Sequence, residues 1–367
     1  MKQIWLFKYI VLVTFLFASF ASLGQSYHRN RKEVKTFKVE KGTEVFIKNK
    51  YGNIQLIPWN KDSISFSISL EVEAKKEVKA EEIFKSIDFD FISSKLYVEA
   101  KTTFPDEGSI WADVKDQASS LFSSENNTQI NYIVHLPSYL EIRIENKYGN
   151  IIMDDHQGSV SVQLSNGDLK AQRMEEASID IQFGFANIKS INKGRVNLNY
   201  HSELRLDKAV DLTVESRSSR IQIDKVDVLK LRSNRDKCYL DEVKFLNATT
   251  SFSYLELVSL GEFITANCKY GDLEIRNLKE TVNKIMLVVE STDISINRLA
   301  NQSIEMDLVY DEKAGLYFTD ELNNKVTEKE DGEEKLVRTI GVLGKSATPR
   351  IKLNATIRSG NIRINTK

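Results

Sequence analysis

The sequence predicts an all-β protein, a parallel β-helix or solenoid with coils of about 18 residues, preceded by a β-rich region that carries one short helix. Three observations lead there. The hexapeptide Asn49-Lys50-Tyr51-Gly52-Asn53-Ile54 recurs unchanged at Asn146-Lys147-Tyr148-Gly149-Asn150-Ile151, 97 positions later. Relatives of it stand at Lys269-Tyr270-Gly271-Asp272-Leu273 and Ser359-Gly360-Asn361-Ile362. Between these motifs, aliphatic and polar residues alternate with the two-residue period of strands. Each motif reads as strand, tight turn, strand. Glycine is expected to take the left-handed backbone there, and Asn or Asp to tolerate it.

Taken in order, the chain begins with an expected export signal over 1–24. Lys2 and Lys8 precede the apolar run Tyr9 to Phe20, and small Ser22 and Gly24 fit cleavage before Gln25. The run is shorter than the ~20 residues of a membrane span, so no integral span is expected after cleavage. The expected location is beyond the inner membrane: periplasm, outer-membrane-associated or cell surface. A net charge of −1 gives no whole-chain basic field for nucleic acid.

The region 25–139 alternates through Val45, Ile47, Ile54, Leu56, Ile64, Phe66 and Ile68. A change of period at Val78, Ile83, Phe84 and Ile87 predicts a helix over 75–87. Serine, Asn and Asp mark 104–128 as a loop insertion. Trp111 within it is expected to pin the loop to its own domain.

Solenoid coils are expected over 140–300. The first aliphatic residues after each turn are read as Ile151, Leu169, Ile188, Leu204, Ile221, Leu240, Leu255, Leu273 and Ile294. Two short alternating strands per coil cannot bury themselves alone, but stacked coils can. Nine such rungs at ~4.8 Å imply about 40 Å of stacked coils. The segment 301–367 supplies further coils and a cap, with a charged, mobile loop over 322–336. Cys238 and Cys268, the only cysteines, fall about two rungs apart in this register and are expected as buried free thiols.

The export signal, the paired Lys-Tyr-Gly-Asn-Ile motifs, the helix-bearing insertion and the later Gly-Asn or Gly-Asp turns resemble the adhesin-like β-solenoid proteins exported by Bacteroidetes-type bacteria. That resemblance covers nearly all of the mature chain. It implies a cell-envelope role in adhesion or scaffolding and brings no catalytic residues with it.

The residues offer little chemistry of their own. His28, His135, His156 and His201 lack metal-ligand spacing, and Asp154-Asp155-His156 reads as a polar turn. No cofactor, metal or phosphate loop is expected, and the chain reads as non-enzymatic. The alternative is a glycan-active lyase- or hydrolase-like β-helix, using Asp168, Glu203, Arg220, Asp272 and Asp293 at the turns. Turn acids are common for conformational reasons alone. The partner class is an envelope glycan or a surface protein. The contact candidates are turn aromatics: Tyr148, Tyr200, Tyr239, Tyr254 and Tyr270, with Tyr51 and Phe185 beside them. If exposed, they form a strip for a partner; if inward, they are corner packing, the commoner arrangement. A basic cluster, with Arg217, Arg220, Lys230, Arg232, Arg235 and Lys237, is read as a solvated outer face.

Overall fold

The computed structural model describes residues 26–104, 126–329, 336–346 and 348–367. The expected export signal, Trp111 and the part of the expected loop from 105 to 125 lie outside the described residues. The chain divides into two compact units. Of the described residues, one unit takes those up to Glu33, with Ile68–Phe89 and Thr102–Asn131; the other takes Val34–Ser67, Asp90–Lys101 and Tyr132–Lys367.

The helix of the first unit is Glu77–Ser86, which buries Ala80 and Ile83 on one face. Glu77 lies in its first turn and Lys85 in its last, each suited to the helix dipole. Arg29 holds Glu77 at 2.8 Å and Glu81 at 3.0 Å, exposed pairs of small energetic weight.

The second unit is a parallel β-solenoid. Its coils are continuous bent strands, not the pairs of short strands expected: Leu169–Gln182, Phe185–Asn199, Glu203–Arg217, Arg220–Asn234 and Lys237–Ser251. Within one coil, Leu204, Leu206, Ala209, Leu212 and Val214 are all buried. Steps of two keep the strand flat; the two steps of three turn two successive side chains outward and bend it. Parallel pairing then places like residues over like. Leu169, Ala186, Leu204, Ile221, Cys238 and Leu255 form one buried ladder.

That ladder corrects two expected anchors. Ala186 and Cys238 occupy the positions assigned to Ile188 and Leu240, which are the next inward residues of the same coils. Both true anchors are small, so their larger neighbours drew the assignment. Cys238 and Cys268 are both free and buried, as expected, but they lie in adjacent coils and not two rungs apart.

Both ends of the solenoid are out of sequence order. The coil that carries Asn49 and Ile54 sits directly on the coil of Asn146 and Ile151. Its other side pairs with Val98 and Tyr132. The identical hexapeptides are therefore neighbours in space. At the far end, Ile351–Arg358 inserts between Lys284–Arg298 and Ile304–Asp311, pairing in parallel with both. The loop expected over 322–336 is corrected: Leu322–Lys329 is a strand, antiparallel to Leu336–Leu343. Nearly all of its side chains are exposed, so hydrogen bonds hold it and burial left no pattern to read. The strand Asn126–Leu136 likewise begins inside the loop expected over 104–128.

Arg298 occupies an inward position after Ile294 and Ile296 and is 2% exposed. Its guanidinium donates to the carbonyls of Leu299 and Gln302 and pairs with Asp320. Its partners put hydrogen bonds where the aliphatic ladder ends.

Candidate functional site

Each coil closes at one tight corner, and the corner is built from three successive residues. The first adopts the left-handed backbone. It is Tyr51, Tyr148, Asn166, Phe183, Ser218, Arg235, Phe252 or Tyr270 in different coils, with φ between 53° and 68°. In one coil both Tyr200 and His201 have positive φ, at 56° and 63°. The expectation that glycine takes this conformation is therefore corrected at Gly52, Gly149 and Gly271, where the preceding tyrosine takes it; at Ser359-Gly360 both residues have positive φ, 62° and 101°.

Glycine follows for a steric reason. A Cβ on Gly149 would lie 2.0 Å from the Gly52 carbonyl oxygen of the next coil, and one on Gly167 would lie 2.1 Å from that of Gly149. No side chain fits at such an approach. In other coils this second position is Ser202, Ser219, Asp236 or Ser253, all buried. The Asp236 carboxylate accepts hydrogen bonds from Ser216 and Ser233 hydroxyls at 2.5 and 2.7 Å. It also accepts from the Ser219 and Asn234 amides at 2.7 and 2.9 Å.

The third residue ties coil to coil. Asn53 Oδ1 accepts from the Asn150 amide at 2.8 Å, Asn150 Oδ1 from the Asp168 amide at 2.9 Å, and Asp168 Oδ1 from the Phe185 amide at 3.2 Å. Asp293 does the same for Asn361 at 3.1 Å. Asp168 and Asp293 are thus turn-ladder residues. Glu203 and Arg220 face each other at 3.9 Å, and Asp272 pairs in register with Asp293. The five turn residues stand along the corner with Phe185, Lys237 and Tyr254 on the coils between them, and four of them are occupied by ladder bonds or an ion pair.

The left-handed backbone throws the first residue outward. Tyr148, Phe183, Tyr200, Phe252 and Tyr270 are 49, 53, 54, 55 and 46% exposed, whereas Tyr51 is 7% exposed. Burial pushes the Tyr51 hydroxyl up to about 12. The rings pair face to face: Tyr51 on Tyr148 at 5.2 Å and 7°, Phe183 on Tyr200 at 5.2 Å and 13°, Phe252 on Tyr270 at 4.9 Å and 12°. Arg235 lies 5.7 Å from the Phe252 ring.

Tyr148, Tyr200 and Tyr270 are brought to one corner, in the exposed arrangement and not the inward one. Tyr239 and Tyr254 are not among them. Tyr254 holds the third corner position after Phe252 and Ser253, Tyr239 lies further along its own strand, and the two touch each other at 5.9 Å with Arg220 over Tyr239. The Tyr254 hydroxyl donates to Glu256 and Glu274, and burial with these carboxylates holds its pKa far above the usual tyrosine value. Phe183 and Phe252 were missed. Neither precedes an Asn-Ile or Asp-Leu motif, but their 17–18-residue spacing from Tyr200 and Tyr270 could have found them.

Next to the corner, a concavity of about 810 Å³ is lined by Arg195, Asn199, Arg217, Arg232, Asn234 and Arg235, among others. Glu215 pairs with Arg195 at 3.6 Å and with Arg232 at 3.4 Å. Another, of about 770 Å³, lies over the small residues Ser161, Ser178 and Gly194, between Phe46 and Arg195. Among the described residues no His, Cys, Asp and Glu group is placed to hold a metal ion. His156 is buried with Nε2 2.7 Å from the Leu140 carbonyl, and desolvation lowers its pKa. Asp155 instead pairs with Arg173, whose hydrogen bond holds the carboxyl below its usual range. No described helix is long and apolar enough to cross a membrane.

No family model matches the chain, and no curated protein matches it. Solved structures that resemble it do so at low similarity, and two of them are described as adhesion proteins. One is a "putative cell adhesion protein" from Clostridium sporogenes, 10% identical, covering 92% of this chain and all of that one, with a TM-score of 0.21. The other is a "putative adhesin" from Bacteroides fragilis, 11% identical, covering 91% of this chain and 97% of that one, with a TM-score of 0.28.

Proposed function

We propose that the chain is an exported, non-enzymatic β-solenoid of the cell envelope that acts in adhesion or scaffolding through its aromatic corner. The observation that carries this reading is the set of half-exposed aromatic residues Tyr148, Phe183, Tyr200, Phe252 and Tyr270 along one edge, with Asn166, Ser218 and Arg235 on the coils between them. Large apolar side chains held outward by backbone geometry bury nothing for their own fold and favour contact with a partner. Export rests on the sequence of residues 1–24, and the adhesive role on the family resemblance of the motifs. Non-enzymatic action is supported by the turn carboxylates, most of which are engaged in binding one coil to the next.

The test is binding of the purified chain to envelope fractions and intact cells, with sugar release measured in parallel. Saturable binding should fall about tenfold when Tyr200 and Tyr270 both become Ala, without a change in the folded CD spectrum. Binding indifferent to both substitutions would remove the corner from the reading. Release of oligosaccharide, lost on Asp272→Asn, would replace it with the glycan-active alternative.

A further inference from the structure

The aromatic corner is interrupted at Asn166 and again at Ser218 and Arg235; the single-rung interruption at Asn166, with an aromatic on each side, has the dimensions of a site. One face of Tyr148 is covered by Tyr51, and one face of Phe183 by Tyr200. The other faces of Tyr148 and Phe183 look toward the single rung between them, which Asn166 occupies. The backbone here is regular: the Tyr148 amide donates to the Ser165 carbonyl, and the Asn166 amide to the Gln182 carbonyl. Two rungs at ~4.8 Å set the ring walls about 10 Å apart, so a six-membered ring midway would lie about 5 Å from each, within the range of stacked ring centroids.

We propose that the gap between Tyr148 and Phe183 is a slot that takes one pyranose ring of a glycan, with Asn166 as its floor. This rests on the reading of the corner as a contact surface and names what that surface receives. The floor selects a sugar over an aromatic side chain. Asn166 is exposed, and its carboxamide has no partner among the described residues. It presents two donors and an acceptor to whatever enters. Ring hydroxyls satisfy such a group, whereas a Trp or Phe side chain would cover it and leave it unpaired. Gln182 and Ser165, in the column beside the corner, add an amide and a hydroxyl within the same two coils. Apolar ring faces offer themselves to the C–H faces of a sugar, and the polar floor to its hydroxyl edge.

The corner itself supplies a gap-filling variant. Asn166 has φ 55°, and Tyr148 and Tyr200 already hold φ 57° and 56°. Asn166→Tyr therefore fits the backbone and completes the aromatic stack while closing the slot. The experiment is calorimetric titration of the purified chain with β-linked glucose, β-linked N-acetylglucosamine and α-linked mannose oligosaccharides, and with a tryptophan-bearing peptide. The expected result is saturable binding of at least one sugar series, weakened about tenfold by Phe183→Ala and more by Asn166→Tyr, with the melting temperature of Asn166→Tyr held or raised.

Sugar binding undiminished in Asn166→Tyr would overturn the slot. So would the absence of binding to every sugar series, or uptake of the peptide alone. Envelope adhesion is measured separately. Adhesion that ignores Asn166→Tyr keeps the contact surface and loses the slot, whereas sugar binding without envelope adhesion loses only the former.

Discussion

The corner is closed in two chemically different ways along one solenoid. From Tyr148 to Gly184 the second corner residue is glycine, and coil backbones approach until no Cβ fits. From Ser202 to Ser253 it is serine or aspartate, buried and hydrogen-bonded across coils. The first stretch solves the corner by removing atoms, the second by adding polar atoms and satisfying each one. A steric solution fails when anything is added, a polar one when anything is taken away.

The largest effect expected from that contrast is at Asp236. Its carboxylate accepts four hydrogen bonds, from Ser216 and Ser219 of one coil and its corner and from Ser233 and Asn234 of the next. Asp236→Ala leaves the Ser216 hydroxyl and two backbone amides short of a partner at a buried site, with Ser233 still bonded to Ser253, at a cost of about 3–5 kcal/mol. Urea unfolding of the purified chain measures this. A loss below ~1 kcal/mol would mean that packing, and not the polar network, closes these coils. Next in size is Gly167→Ala, whose new Cβ would meet the Gly149 carbonyl at 2.1 Å. Separating the coils should cost about 2–3 kcal/mol. Ser219→Ala, at the same position in the polar stretch, should cost only ~1 kcal/mol, because it removes one hydroxyl and adds no clash. Equal costs at Gly167 and Ser219 would erase the distinction.

Acid should separate the stretches by another route. His156 is buried and its pKa is lowered, mainly by desolvation. Its neutral form is favoured in the folded state, so the unfolded chain binds the proton more readily. Stability from this group is complete above the unfolded pKa of about 6.5 and falls as pH drops below it. His156→Gln should flatten that decline between about pH 7 and 5, as read by the melting temperature. Cys238, its thiol pushed up to about 12 by burial, should stay unreactive toward alkylating reagents across the same range until the chain unfolds.

These contrasts also show what could be read beforehand. Alternating aliphatic residues gave the coils, because parallel stacking places like over like, and the twin hexapeptides marked a corner. Their being spatial neighbours was not legible: a chain that leaves the second unit after Ser67 and returns later carries no local mark of that path. The left-handed residue was misassigned because glycine has two reasons to stand at a turn, and sequence does not separate close approach from positive φ. Ala186 and Cys238 hid behind larger neighbours. At the candidate site, three tyrosines were found by their motif. Phe183 and Phe252 escaped because they lack it, and Tyr239 and Tyr254 were drawn in because they lie only two to four residues past the left-handed corner residues Arg235 and Phe252.

The smallest effect should come at the exposed end of the corner. Tyr270 holds φ 55°, a conformation that costs a tyrosine more than an asparagine. Against this, its ring stacks on Phe252 at 4.9 Å, worth ~0.5–1.5 kcal/mol. Tyr270→Asn loses the stack and relieves the backbone, so the two terms oppose and the net change in stability should stay within ~1 kcal/mol. Partner binding should fall all the same, because the substitution removes a half-exposed ring from the contact edge. Stability and binding moving together would mean that the aromatic column is corner packing after all. Stability unmoved while binding drops would mean that these coils keep a strained backbone for what it presents, and not for what it buries.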